Sequence, residues 1–263
     1  MLNENDKEIS LTFAKGLNVL LAFDARDRSI TISEIAEKVG LNRAVTRRLV
    51  RTLEQLGYLT CDRGRYEVTP HVLRLSQGFI EGRGIAQIIQ PILRLAAEEI
   101  GQSVSFAMLD DTDAVYVAHT FLPSQFTLNR VAIGTRVPLA PTAAGRAILA
   151  FLDEARRDEI LDGMDFAAFT DRTQTDRARF LDALHEVRAQ GFAQTDSEYV
   201  ADVGSLAVPV FDPGLNSVIG AVSIIFEQGQ LDAQQRADSI TRLKSCAAHV
   251  SSTFPGSGSA HCE

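Results

Sequence analysis

The chain has 263 residues, of which 45% are hydrophobic and 23% are charged. This composition is typical of globular proteins and excludes a disordered or fibrous chain. No apolar run approaches the roughly 18 residues of a membrane span, and the first ten residues are polar and acidic, so we expect a soluble cytoplasmic protein. The three cysteines, Cys61, Cys246 and Cys262, are far apart and predict neither a metal site nor a redox pair.

The formal net charge of -8 is unevenly distributed along the chain. Residues 1–80 carry 12 basic and 10 acidic side chains, whereas the remaining 183 residues carry 14 and 24. Between Asn42 and Arg65 there are six arginines against two acids. This local excess of positive charge predicts that the N-terminal part contacts nucleic acid.

Three helices and a hairpin are predicted in residues 11–70. Apolar residues at helical spacing indicate a first helix, which the turn-forming run Asp24–Ser29 ends. A second helix is expected between Thr31 and Gly40, and a third after the N-cap residue Asn42, with a turn formed only by Leu41 and Asn42. The residues of the third helix expected to face the core are Leu49, Val50, Leu53 and Leu56.

Two short strands follow the third helix. Tyr58–Thr60 and Tyr66–Thr69 flank a glycine-bearing turn, which predicts the wing of a winged helix-turn-helix. After Pro70, helical spacing resumes from His71 to Glu81 and predicts a linker helix. The domain division is then an N-terminal tail (1–10), a DNA-binding domain (11–70), a linker helix (71–84), a sensor domain (85–254) and a flexible tail (255–263).

The sensor domain is predicted to mix helices with mostly antiparallel strands, which favours an α+β fold over a doubly wound sheet. Its predicted helices are Ile85–Ile100, Thr142–Phe151, Arg177–Gln190 and Ala233–Phe254. Its predicted strands are Ser103–Leu109, Ala114–Thr120, Phe126–Ile133, Phe192–Glu198, Leu206–Phe211 and Val218–Phe226.

The third helix has the pattern of a DNA recognition helix. Arg47, Arg48 and Arg51 follow Ala44 by three, four and seven residues, which places them on the helix face opposite the apolar residues. The first acidic residue of the helix is Glu54. A solvated charged face is the alternative, but the short preceding helix and tight turn favour major-groove binding. We expect the DNA-contacting residues to be Ser33, Asn42, Arg43, Ala44, Arg47, Arg48, Arg51, Arg63 and Arg65.

Seven segments of the sequence resemble the IclR-type transcription regulators, and the likeness runs from about Leu11 to Phe254. The resemblance rests on Ala14–Leu20, Ser33–Ala36, Leu41–Tyr58, Tyr66–Pro70, Gly134–Ala150, Arg188–Phe192 and Gly204–Asp212. It implies a GAF-like effector domain, a homodimer or tetramer formed partly through the DNA-binding half, and control of catabolic operons. The pair Arg47–Arg48 and the run Gly134–Arg136 look most like the branch that regulates aromatic-acid catabolism through protocatechuate, whereas Pro141 and Ala143–Ala144 depart from it.

The resemblance also implies where the effector binds. Carried over by position, the candidates are Leu139, Thr142, Ala143, Ala144, Asp196, Val203, Ser205 and Ser223. Backbone N–H groups at the start of the Thr142 helix suit a carboxylate, and Asp196 would then accept from a ligand hydroxyl, which predicts a hydroxy- or oxo-acid. Without the resemblance, the residues alone favour ordinary structural roles, with Thr142 as an N-cap and Ser205 as a turn serine.

Arg130 is a further candidate for the effector carboxylate. It shares a predicted strand face with Phe126 and Leu128, where a cation among apolar residues either meets a ligand or extends to an interface or to water.

Two other classes of protein compete with this interpretation. A hydrolase is one, but we find no nucleophile elbow, phosphate loop or metal-ligand spacing, so we expect no enzyme activity and no cofactor. A ligand-binding module without DNA is the other, and salt-sensitive retention on DNA would separate it from a regulator. We expect the partners to be a pseudo-palindromic double-stranded operator, a small organic acid and a second copy of the chain, with no membrane.

Overall fold

The computed structural model describes residues 8–24, 27–122 and 131–253. Contacts within the chain define two compact units, the first ending at Phe79 and the second beginning at Ile80. In the part that is described, no helix is both long and apolar enough to cross a bilayer.

The N-terminal unit is a winged helix-turn-helix, as predicted. Its elements are α1 (Leu11–Leu21), β1 (Ser29–Thr31), α2 (Ile32–Lys38), α3 (Arg43–Gln55), β2 (Leu59–Asp62) and β3 (Arg65–Val68). The three strands form an antiparallel sheet in the order β1-β3-β2. Strand β1 was not predicted, and it begins at the last residue of the predicted loop. Three residues are too few to show an alternating pattern of apolar and polar side chains.

Local capping fixes the ends of α2 and α3. Thr31 and Glu34 form a reciprocal capping box at the start of α2, and the Asn42 side chain accepts from the Val45 N–H at 2.9 Å. Helix α2 ends at Lys38, and Gly40 has a left-handed φ of 65°. The turn between α2 and α3 is therefore two residues longer than the predicted turn of Leu41 and Asn42. At the wing tip, positive φ angles at Arg63 and Gly64 fit a two-residue hairpin.

The core of this unit contains eight buried side chains, contributed by all three helices and all three strands. These are Val19, Ala22, Ile30, Ile35, Leu49, Val50, Leu59 and Tyr66. The prediction that Leu56 faces the core is wrong, since its side chain is 57% exposed. Leu56 is the C-cap of α3, where the chain turns away through Gly57 with a φ of 82°.

The predicted linker helix is present, with irregular ends. A 3₁₀ turn, Pro70–Leu73, leads into α4 (Arg74–Gly82), and Gly84 then adopts a left-handed conformation. The predicted helix from Ile85 is divided into a π-helical turn, Ile85–Ile89, and α5 (Gln90–Ile100). Pro91 has no N–H group for a regular helical hydrogen bond at this point.

The C-terminal unit is an α+β domain built on a six-stranded antiparallel sheet in the order β6-β5-β4-β9-β8-β7. Its strands are β4 (Val104–Asp110), β5 (Asp113–Thr120), β6 (Arg136–Pro138), β7 (Ala193–Asp196), β8 (Val203–Asp212) and β9 (Ser217–Glu227). Its remaining helices are α6 (Ala143–Leu149), α7 (Glu154–Gly163), α8 (Arg177–Gln190) and α9 (Ala233–Thr253). Neither β6 nor α7 was predicted, and most of the predicted strand Phe126–Ile133 lies outside the described residues.

The two faces of this sheet pack against different helices. Phe106 on β4 belongs to a buried cluster with Leu93 of α5 and Leu243 of α9. Its neighbour Ala107 belongs to a second cluster with α6 and α8. Because successive strand residues point to opposite faces, the sheet is the middle layer of three. The second of these clusters surrounds the cavity described below.

Candidate functional site

Helix α3 presents a cationic outer face. Arg43, Arg47, Arg48 and Arg51 are exposed, as is Ala44, whereas Leu49 and Val50 on the opposite face are buried. Among the described residues, none of these four arginines has a side-chain hydrogen bond or an ion pair. Their guanidinium donors are therefore available for phosphate oxygens or guanine edges.

The other predicted DNA-contacting residues are also exposed, but two of them are already engaged. The Asn42 side-chain oxygen caps α3, and the Arg65 guanidinium donates to the Ser29 carbonyl and lies 3.7 Å from the Glu34 carboxylate. Ser33 lies in the first turn of α2, and Arg63 lies at the wing tip. Arg65 therefore shares its charge with Glu34, whereas Arg63 has no side-chain hydrogen bond or ion pair among the described residues.

The C-terminal unit contains a cavity of about 110 Å³ between the sheet and the start of α6. Its lining residues are Tyr116, Val131, Thr135, Val137, Pro141, Thr142, Ala143, Ala144, Thr195, Tyr199, Val200, Val203, Ser205, Ser223 and Ile225. Among the described residues that line it there is no charged side chain, and every polar side chain carries a hydroxyl group. The cavity therefore suits an apolar body with a few groups that exchange hydrogen bonds.

Two hydroxyl pairs mark the polar parts of the cavity. The Thr195 and Ser205 hydroxyls are 2.6 Å apart and lie on directly paired residues of β7 and β8. The Tyr116 hydroxyl hydrogen-bonds Ser223, and burial raises the pKa of Tyr116 to about 12. Tyr116 is therefore a neutral phenol at physiological pH and can donate a hydrogen bond to an anion.

Thr142 acts as the N-cap of α6. Its hydroxyl donates to the Pro138 carbonyl at 2.8 Å and accepts from the Gly145 N–H at 3.2 Å. The helix start packs closely on the preceding segment, since a Cβ at Gly145 would lie 2.3 Å from backbone atoms of Leu139. Because the first N–H groups of a helix have no partner within it, the amides of Ala143 and Ala144 are the donors that this end offers to the cavity.

The structure brings six of the nine predicted effector residues together. Thr142, Ala143, Ala144, Val203, Ser205 and Ser223 all line the cavity. Leu139 instead packs in the core against α6, and Arg130 lies outside the described residues.

Asp196 does not line the cavity. Its carboxylate accepts from Arg172 at 3.3 Å, from Gln228 at 3.2 Å and from Ser197 at 3.0 Å. It follows Thr195, which does line the cavity, so strand alternation turns it to the opposite face. The expected hydrogen bond from a ligand hydroxyl to Asp196 therefore does not fit the structure.

Sequence reasoning missed several lining residues, above all Tyr116, Thr195 and Tyr199. A signal was available for Thr195, because Ala193 and Thr195 alternate with polar exposed residues on a predicted strand. Tyr199 lies in a turn with no periodic pattern, so only the three-dimensional structure identifies it.

One Ser–His pair bears on the hydrolase alternative. The Ser105 hydroxyl lies 2.9 Å from His119 Nδ1, and burial lowers the pKa of this histidine. Ser105 is buried on β4 and does not line the cavity, so it is not placed to attack a bound ester. The described residues contain no cluster of three or more His, Cys, Asp or Glu side chains that could hold a metal ion.

Comparison with known proteins gives consistent matches over both units. A family model for the IclR helix-turn-helix domain matches residues 12–63, and one for the C-terminal domain of bacterial IclR transcriptional regulators matches residues 77–252. The Pca regulon regulatory protein of Pseudomonas putida is 30% identical over 86% of this chain and 77% of its own length. The p-hydroxybenzoate hydroxylase transcriptional activator of Acinetobacter baylyi is 30% identical over 88% of this chain and 86% of its own length.

A solved structure extends the comparison to the C-terminal unit. The inducer-binding domain of a PobR double mutant from Acinetobacter, in complex with 3-hydroxybenzoic acid, aligns with a TM-score of 0.57 and 27% identity over 64% of this chain and 97% of that one. The matched family models together cover most of the chain, and they agree with its winged helix-turn-helix and its antiparallel α+β domain. The chain therefore belongs to the IclR family of bacterial transcriptional regulators.

Proposed function

We propose that this regulator binds a pseudo-palindromic operator as a dimer and that a small hydroxylated aromatic acid, bound in the cavity of the C-terminal unit, controls its affinity for DNA. The observation that carries the proposal is a cavity whose described lining has several hydroxyl groups and no charged side chain, in a chain whose α3 presents four arginines without a side-chain partner among the described residues. The proposal places the protein in the cytoplasm with the chromosome, and it assigns no catalytic residue and no cofactor.

The DNA step rests on α3. In a winged helix-turn-helix the recognition helix enters the major groove, where arginine pairs with guanine O6 and N7. Arg47 and Arg48 lie in the middle of the exposed face and are assigned to base edges. Arg43, Arg51 and Arg63 are assigned to phosphates, where they fix the position of the helix without reading sequence.

Dimer formation is supported by an exposed apolar stripe on α1. Phe13, Leu17 and Leu21 are spaced by four residues and are 68%, 41% and 79% exposed. An amphipathic helix with such a stripe is typical of a surface that a partner covers. One winged helix contacts too few base pairs for useful specificity, so we infer that a dimer binds two half-sites. The centres of these half-sites should be about 10 bp, or a multiple of that, apart.

The effector class follows from the donors in the cavity and from the relatives. Among the described residues the cavity offers a carboxylate no cationic partner, so the ligand needs several hydrogen-bond donors, which the Tyr116 phenol, the serine and threonine hydroxyls and the Ala143 and Ala144 amides supply. The apolar lining accommodates an aromatic ring. The names of the p-hydroxybenzoate regulator and of the 3-hydroxybenzoic acid complex support the same class.

Calorimetric titration tests the effector assignment. We expect 4-hydroxybenzoate or 3,4-dihydroxybenzoate to bind the wild-type protein, with hexanoate as a carboxylate of different shape for comparison. Ser205→Ala and Ser223→Ala should each weaken binding by about 1 kcal/mol or more, whereas Asp196→Asn, outside the cavity, should not. Binding of hexanoate as tight as that of both hydroxybenzoates would contradict the proposed class.

A further inference from the structure

The turn Ser197–Asp202 forms one wall of the cavity. Tyr199 and Val200 of this turn are lining residues. Ser197 and Asp202, at its two ends, have positive φ angles of 59° and 61°. Non-glycine residues adopt this conformation at an energetic cost, so the turn needs contacts that hold it in place.

A buried ion pair connects this wall to α6. Glu198 Oε2 lies 2.6 Å from Arg146 Nη2, and the two side chains are only 12% and 7% exposed. Arg146 also donates from Nε to the Ala140 carbonyl at 2.8 Å, and its guanidinium carbon lies 5.4 Å from the centre of the Phe180 ring. Because α6 begins with the lining residues Ala143 and Ala144, the ion pair links two walls of one cavity.

Further contacts hold the same turn from outside. The Thr170 hydroxyl donates to the Ser197 carbonyl and the Thr173 hydroxyl to the Glu198 carbonyl, each at 2.6 Å. The Gln174 N–H donates to Glu198 Oε2 at 3.0 Å. Glu198 is therefore the residue at which the α6 contact and the outer-loop contact meet.

We propose that Arg146 and Glu198 are positioning residues for the effector: their ion pair holds Tyr199 and Val200 against the cavity, and neither residue touches the ligand. This inference rests on the proposed function of the cavity. A buried charge that loses its partner is strongly destabilising, so removal of Glu198 should displace the turn. The loosened wall should weaken effector binding and increase its dissociation rate.

The test combines hydrogen exchange with effector titration for Glu198→Ala, Glu198→Gln and the control Glu99→Gln. Glu99, on α5, also bears a carboxylate paired with an arginine, Arg242, but it is 60% exposed and does not line the cavity. For Glu198→Ala we expect at least about tenfold faster exchange of amides 197–203 and about tenfold weaker binding of 4-hydroxybenzoate or 3,4-dihydroxybenzoate. Glu198→Gln, which preserves side-chain shape, should give a smaller change in the same direction, and the control should stay within about twofold of wild type.

A purely structural role predicts a different pattern, in which exchange accelerates throughout the unit, including α9. Such uniform loss of protection, or unchanged exchange of amides 197–203 in folded Glu198→Gln, would overturn the proposal. If Glu198→Ala does not fold, the exchange pattern of Glu198→Gln decides. If neither hydroxybenzoate binds the wild-type protein, the proposed effector class fails, while exchange in the unliganded variants still determines whether the ion pair holds the wall.

Discussion

Replacement of Tyr116 by phenylalanine removes one hydroxyl from the cavity with little change in shape. Tyr116 is buried and its hydroxyl pairs with Ser223. A hydrogen bond to a charged ligand group is worth about 1.5–3 kcal/mol, so we expect 4-hydroxybenzoate to bind roughly 10- to 150-fold more weakly if Tyr116 donates to its carboxylate. The loss of the neutral bond to Ser223 should reduce the free energy of unfolding by only about 1 kcal/mol.

The assay compares wild type and Tyr116→Phe by calorimetry, with denaturant unfolding as the check on folding. Tyr58→Phe, in the N-terminal unit, is the matched control and should leave effector affinity unchanged.

Because the folded-state pKa of Tyr116 is raised to about 12, its contribution to stability is present below pH 10 and is lost as the pH rises towards 12. Ultraviolet difference titration should show one fewer late-ionising tyrosine in Tyr116→Phe than in wild type, whereas Tyr66, whose pKa is also raised by burial, should titrate alike in both proteins. A folded variant with affinity within twofold of wild type would refute the assigned role.

Three other variants test the DNA surface and the start of α6. The double variant Arg47→Ala, Arg48→Ala should lose about 1–3 kcal/mol or more of specific binding and relax base preference, and unchanged operator affinity in a gel-shift assay would count against α3 as the recognition helix. Arg51→Ala should weaken binding to all sequences alike and reduce the salt dependence of affinity by about one counterion, and a loss confined to the operator would contradict the phosphate assignment. Gly145→Ala should destabilise the C-terminal unit by about 2–3 kcal/mol, because its Cβ would overlap the Leu139 backbone, whereas Gly16→Ala, which meets no atom, should be neutral or stabilising by thermal unfolding.

Most of the N-terminal unit was predictable, because each of its elements except β1 has a local signal. The apolar stripes and caps predicted α2 and α3, and the glycine-bearing turn predicted the wing. The prediction was wrong at Leu56 because apolar spacing does not show where a helix ends. In β1, three residues are held by pairing with β3, which is not a local property of the sequence.

The cavity was only partly predictable. Its residues on α6 and β8 lie in or next to segments that resemble the family, and Ser223 on β9 lies within the overall span of the likeness, so they could be carried over by position. Asp196 was misplaced because a strand shifts each successive side chain to the other face, and the register of β7 was unknown. The ion pair between Arg146 and Glu198 joins residues 52 positions apart, and no sequence pattern marked them as partners.

The central claim, DNA recognition controlled by a small acid, is tested most directly by selection from a randomised DNA pool in the absence and presence of 3,4-dihydroxybenzoate and 4-hydroxybenzoate. The account predicts an enriched pseudo-palindrome with half-sites about 10 bp, or a multiple of that, apart, bound at least about 10³-fold more tightly than unrelated DNA. It also predicts that one of the acids changes this affinity by about fivefold or more. Absence of any enriched motif, or an affinity for the selected DNA that neither acid alters, would contradict the account.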